Sequence, residues 1–247
     1  MKSTNSPSWR LPVFAGQGIA SINAPQTRQQ ALLDASSTSG SVLLSACHEA
    51  FQAELSSLSL IDLLHVQVHM ADFQTREALV ALPPEHYLHN AAISTSTLFL
   101  IQALRYLAFV EATALSTGSL RPFTDILEHN AEHGPGILGF SSGILPACVA
   151  ATSFSLHKYI STAVEVYRLA LWIGIRSQFY RQEILAAASL DQHTPLPWSI
   201  VLIGLDRESA ETSVSDFNKV VISPYVRMTC FPNISLKFSP TLKCAFM

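Results

Sequence analysis

The chain has 247 residues, enough for one large domain or a domain with a small insert. Hydrophobic residues make up 49% and charged residues only 13%, which supplies a sizeable core and excludes a disordered chain. A formal net charge of -3, with no basic run, excludes an electrostatic binder of nucleic acid or of a membrane surface.

The low charge fits two pictures, a module partly covered by neighbours in a larger chain or a slightly greasy free-standing domain. The N-terminus has no long apolar stretch after Lys2, so no signal peptide is expected. Cys47, Cys148, Cys230 and Cys244 lie far apart without CxxC spacing, which points to free thiols in a reducing, cytoplasmic compartment.

Leu11 to Phe14 is a short apolar strand running into the turn Ala15-Gly16-Gln17-Gly18. "TRQQALLDA" and "SVLLSACHEAFQAEL" follow as helices, with apolar residues recurring at three and four. A Ser-rich joint leads into "IDLLHVQVHM", and Pro83-Pro84 ends that region. His89 to about Leu115 predicts a long apolar helix. Its Gln102, Arg105 and Glu111 mark it as a buried core helix and not a membrane span. Gly134-Pro135-Gly136 breaks the chain before the strand "ILGF". A helix containing Pro146 comes next, then a helical region from Ser153 to Leu190 with a bend expected near Gly174. "TPLP" is a linker, and the remainder reads β-α-β-β, the first part of a ferredoxin-like unit.

Between the strand "ILGF" and its helix stands Gly139-Phe140-Ser141-Ser142-Gly143, a G-x-S-x-G. Glycines at these places let the backbone turn sharply, so a serine oxygen can project into a pocket. The following helix points its N-terminal N–H groups and positive dipole end at the same spot. Ser141 is therefore a candidate nucleophile and the Ser142 N–H a candidate oxyanion donor; a tight structural turn is the other reading. "VFAGQG" can place a second backbone N–H opposite the elbow.

Together, "FAGQG", "GFSSG" and the β-α-β-β tail resemble the acyltransferases of fatty-acid and polyketide synthases, within the malonyl/acyl-carrier-protein transacylase superfamily. "GFSSGILPACVAA" followed by "AVEVYRLALWIGIR" is most similar to the starter-unit acyltransferase domain of fungal non-reducing polyketide synthases. The similarity runs from about Leu11 to Phe246. It implies an α/β acyltransferase fold, with a hydrolase-like large subdomain and parallel sheet over 11–195 and a partial ferredoxin-like subdomain over 196–247. It implies ping-pong transfer of a starter acyl group from acyl-coenzyme A or an acyl carrier protein to the phosphopantetheine thiol of the synthase's carrier domain. Ser141 becomes the nucleophile, where many relatives carry Cys. The N–H groups of Gln17 and Ser142 form the oxyanion hole, with Gly16, Gly18, Gly139 and Gly143 as motif glycines. Other synthase domains are the implied partners, and no resident cofactor or metal is implied.

In the family the general base is a histidine beyond the small subdomain. His157, in the helix after the elbow, and His193, in the linker, do not match that place, so the chain is expected to be truncated and impaired. Malonyl-loading relatives clamp a carboxylate with an arginine after the elbow. That place falls near Val166, with Arg168 and Arg176 nearby, which points to an uncharged, short starter such as acetyl.

The remaining candidates read as structural. The pairs His65/His69, His86/His89 and His129/His133 have metal-like spacing but no third ligand. Cys148 reads as a buried small hydrophobe, and Asp191 with His193 as linker neighbours. Two other functions stay open: a serine hydrolase of the α/β-hydrolase type, which needs an acid and then a histidine downstream, and a non-catalytic fragment or carrier-docking module.

Overall fold

The computed structural model describes residues 12–16, 25–81, 87, 90–133 and 136–187, with Glu208, Ser209 and Thr212 beyond them. It is mostly helical, with one small parallel sheet. In chain order come β1 (Val13–Phe14), α1 (Pro25–Ala35), α2 (Thr38–Ser56), α3 (Leu60–Val66), a 3-10 turn at Met70–Phe73 and α4 (Ala78–Ala81). Then follow α5 (Ala91–Thr117), α6 (Pro122–His133), β2 (Leu138–Gly139), a 3-10 turn at Ser141–Gly143, α7 (Ile144–Thr152) and α8 (Leu156–Ala187).

The described chain divides into two compact units between Gln178 and Phe179. All the elements up to the first 23 residues of α8 belong to the first unit, since 178 − 156 + 1 = 23. In the second, Phe179–Ala187 continues α8, and Glu208, Ser209 and Thr212 are helical, as the sequence predicts there. The expected boundary at 195/196 and the expected ferredoxin-like strands lie outside the described residues.

The first unit is built around α5. Fourteen of its 27 residues are buried, among them Leu98, Phe99, Leu100, Leu104 and Leu107. The helix is long and apolar enough to cross a membrane by composition, but here α1, α2, α4, α6 and α7 pack on it. Its start is fixed by Asn90. The Asn90 side chain accepts from the N–H groups of Ala92 (3.0 Å) and Ile93 (3.3 Å) and donates to the Val66 carbonyl (2.7 Å). One residue therefore caps α5 and ties it to the end of α3. Buried Gln178 accepts from the Ala91 N–H at 3.1 Å and meets one more orphan donor of that helix start.

α8 lies antiparallel to α5. The Tyr159 hydroxyl donates to the Ala103 carbonyl (2.8 Å), Tyr167 stacks near Phe99, and Gly174 meets Ala91 and Ala92. A Cβ on Gly174 would stand 2.4 Å from the Ala91 carbonyl oxygen. This glycine allows a close helix crossing, and α8 is helical through it. α6 is an element with no expectation from the sequence pattern. Pro122 at its first position and Asp125 in its first turn are ordinary start signals.

Candidate active site

The two strands, each of two residues, pair in parallel with Val13 opposite Leu138 and Phe14 opposite Gly139. The Leu138 N–H donates to the Pro12 carbonyl (3.1 Å) and the Phe140 N–H to the Phe14 carbonyl (2.9 Å). Parallel pairing sends the turn after β1 and the turn after β2 off the same end of the sheet. That is where a ligand site forms in such sheets.

Each described glycine of the two motifs is required there by close approach. A Cβ on Gly139 would lie 2.6 Å from the Gly143 carbonyl oxygen and 2.7 Å from the Ile144 Cα. One on Gly143 would lie 2.4 Å from the Phe14 carbonyl oxygen, and one on Gly16 would lie 2.4 Å from the Ser141 Cβ and 2.9 Å from its Oγ. The strand exit thus packs on the helix start, the helix start packs on the end of β1, and the turn after β1 rides against Ser141.

Ser141 sits at φ 56, in the left-handed region. A side chain there costs roughly 1–2 kcal/mol. Ser141 is exposed at the head of the 3-10 turn that opens α7. Among the described residues nothing hydrogen-bonds to its Oγ. Ser142 follows it at the positive end of α7, the position of an oxyanion donor in such elbows. Gln17 and Gly18 lie outside the described residues.

The Ala15 carbonyl, one residue before Gly16, accepts a 2.6 Å hydrogen bond from Gln102 Nε2 on α5. In the sequence Gln102 stands out only as an interruption of an apolar helix. The available signal was that it is the only amide side chain in that helix.

The other candidates fall away from the elbow. His157 is exposed in the first turn of α8, beyond the far end of α7. The nine residues of α7 carry the chain about 13 Å away, at 1.5 Å per residue. Arg168 faces Glu54 on α2 (3.6 Å) and Glu165 on its own helix (3.9 Å), and Trp172 Nε1 donates to the same Glu54 (2.9 Å). Arg176 is exposed and Val166 half-buried on α8. His65 and His69 are exposed and His129 is half-buried. Among the described residues no three His, Cys, Asp or Glu side chains come together. His86, His89, Asp191 and His193 lie outside the described residues.

Cys148 requires a correction, because it is exposed and not buried. α7 buries Pro146, Ala147, Val149 and Ala150, which leaves Cys148 on the outward side. Cys47 is the buried thiol, and desolvation pushes its pKa far up, which keeps it an inert thiol.

The family described as "Starter unit:ACP transacylase in aflatoxin biosynthesis" matches residues 26–236. "Orsellinic acid synthase ArmB" of Armillaria ostoyae is 43% identical over 98% of this chain and 11% of that protein. "Orsellinic acid synthase" of Beauveria bassiana is 30% identical over 81% of this chain and 8% of that protein. "Fatty acid synthase beta subunit aflB" of Emericella nidulans is 28% identical over 56% of this chain and 6% of that protein. This chain thus spans about a tenth of the length of the curated synthases it matches best. The chain belongs to the starter-unit:ACP transacylase family of acyltransferases.

Proposed function

We propose that the chain loads a starter acyl group onto a fungal polyketide synthase through an acyl-serine at Ser141. One observation carries this reading. Ser141 is held exposed at φ 56, between the Gly16 turn and the start of α7, on glycines that tolerate no side chain.

The Ser141 oxygen attacks the carbonyl carbon of an acyl thioester, from coenzyme A or an acyl carrier protein. The N–H groups of Gln17 and Ser142 hold the oxyanion. The carbon–sulfur bond breaks, and the thiol leaves with the proton that Ser141 gave up. The carrier's phosphopantetheine thiol then attacks the ester, and Ser141 regains its proton. Serine has a high pKa and depends on a base for both steps. By the resemblance that base is a histidine, and no described histidine bonds to Ser141.

The starter is an uncharged short acyl group. Arg168, the nearest candidate for a carboxylate clamp, is engaged by Glu54 and Glu165. The names of the relatives support a place in an orsellinic-acid-type synthase; by the resemblance, carrier and other synthase domains are the partners and the cytoplasm the compartment.

The test is intact-mass analysis of the chain after incubation with acetyl-coenzyme A and longer acyl-coenzyme A, followed by transfer to a carrier domain that bears phosphopantetheine with its thiol free. An acyl increment on the Ser141 peptide that passes to the carrier thiol is expected. No increment at Ser141, or hydrolysis of simple esters without transfer, overturns the reading.

A further inference from the structure

We propose that Gln102 is a positioning residue that holds the turn after β1 in register with Ser141; this rests on the acyl-serine reading above. Gln102 comes from the middle of α5, 87 residues from its partner. Its Nε2 donates to the Ala15 carbonyl at 2.6 Å, a short bond for an N–H donor. That carbonyl belongs to the peptide joining Ala15 to Gly16, so the bond fixes the plane from which the turn departs. The turn has little freedom left to absorb an error. A Cβ on Gly16 would lie 2.9 Å from Ser141 Oγ, and a Cβ on Gly143 would lie 2.7 Å from the Ala15 carbonyl oxygen. A small rotation of this peptide would move the backbone beside the nucleophile by a comparable amount.

The same face of α5 anchors the strand itself. Tyr106, one turn on, packs its ring against Phe14 with centroids 5.8 Å apart. β1 and its turn are thus held at two successive points by one rigid helix.

Stability alone does not account for an amide at this place. The Gln102 Oε1 is buried and has no hydrogen-bond partner among the described residues. An amide that leaves a buried acceptor atom unmet is a costly way to fill a half-buried position, and an apolar side chain of the same length avoids that cost. What the amide supplies and methionine does not is the donor to Ala15.

The test is single-turnover acylation of the full chain by acetyl-coenzyme A, comparing wild type, Gln102→Met and Gln102→Leu, with Tyr106→Phe as a control on the same face. Removing a whole oxyanion donor costs about 100- to 1,000-fold in rate, and a loosened anchor is expected to cost about 10- to 100-fold. The maximal acylation rate should fall by that factor in both variants. The concentration dependence should stay unchanged, the thermal midpoint should move little because relief of the unmet Oε1 offsets the lost donor to Ala15, and the Tyr106→Phe rate should match wild type. A wild-type rate in Gln102→Met, or in Gln102→Leu if the first does not fold, overturns the proposal. A loss that tracks a lowered midpoint or a weaker concentration dependence assigns Gln102 a merely structural role and also overturns it. If wild type itself forms no adduct at Ser141, the acyl-serine reading falls, and the positioning role falls with it.

Discussion

At Ser141 a serine holds a backbone conformation that glycine holds without strain, φ 56. The cost is local, and the return is an oxygen projecting from the start of α7. Replacing Ser141 by Gly is expected to raise stability by up to about 1 kcal/mol, the left-handed penalty less the extra unfolded-state entropy of glycine. The same change removes the acyl increment, so urea midpoint and mass read the trade directly. Two tyrosines with ring centroids 5.5 Å apart give an independent contrast. The Tyr159 hydroxyl donates to the Ala103 carbonyl, while the buried Tyr106 hydroxyl has no partner among the described residues. Tyr159→Phe is expected to cost about 1 kcal/mol and Tyr106→Phe to be neutral or stabilising, measured by denaturant unfolding. Equal losses in both would refute the hydroxyl assignments. The elbow was legible in the sequence because each of its glycines answers a contact a few residues away or in the paired strand. The Gln102 bond was not, because its partner lies 87 residues away and is a main-chain carbonyl that leaves no mark in residue type.

Elements follow the same rule. α1, α2, α5 and α8 announce themselves through apolar residues at helical spacing, and their observed bounds stand within a few residues of those expected. The strands are harder to place, since among the described residues only Val13–Phe14 and Leu138–Gly139 pair within the apolar runs. Runs of four apolar residues fix where a strand can be, but the ladder length is set by how soon the glycine turns lift the chain away. Gly174 is the opposite case, a residue whose close contact leaves no mark in the sequence around it. A glycine inside a helical pattern suggests a bend, yet here it permits contact between α8 and the start of α5. Gly174→Ala tests this because propensity and packing disagree in sign. Helix propensity alone would stabilise by about 1 kcal/mol. The added Cβ would stand 2.4 Å from the Ala91 carbonyl oxygen and 2.6 Å from the Ala92 Cα, backbone atoms that cannot swing aside. Overpacking of this kind costs about 1–3 kcal/mol, so a net loss is expected in the urea midpoint. A net gain would mean that the two helices separate freely.

For the whole molecule, a charge content of 13% leaves little electrostatic contribution to folding, and pH sensitivity moves to buried neutral groups. Tyr87, Tyr106, Tyr159 and Tyr167 are all buried. Burial and then the hydrogen bond to Asp72 push Tyr87 up to about 12. Burial also raises Tyr106, Tyr159 and Tyr167 above the ordinary phenol value, and it raises the Cys47 thiol. In the unfolded chain these groups ionise near their ordinary values, about 8.5 for the thiol and about 10 for the phenols. The folded chain binds their protons more tightly. Their contribution is therefore complete below about pH 8.5, declines first through Cys47, and falls steeply as pH rises from about 10 towards 12 and beyond. Phenolate absorbance from these four residues should appear in the same transition that removes the helical circular dichroism. The core around α5 would then open as one unit, with the buried hydroxyls and the Cys47 thiol reaching solvent together. Phenolate absorbance developing smoothly around pH 10 with the helical signal intact would show instead that water reaches these hydroxyls in the folded state, and that the packing of α8 on α5 is looser than the Tyr159 and Gly174 contacts require.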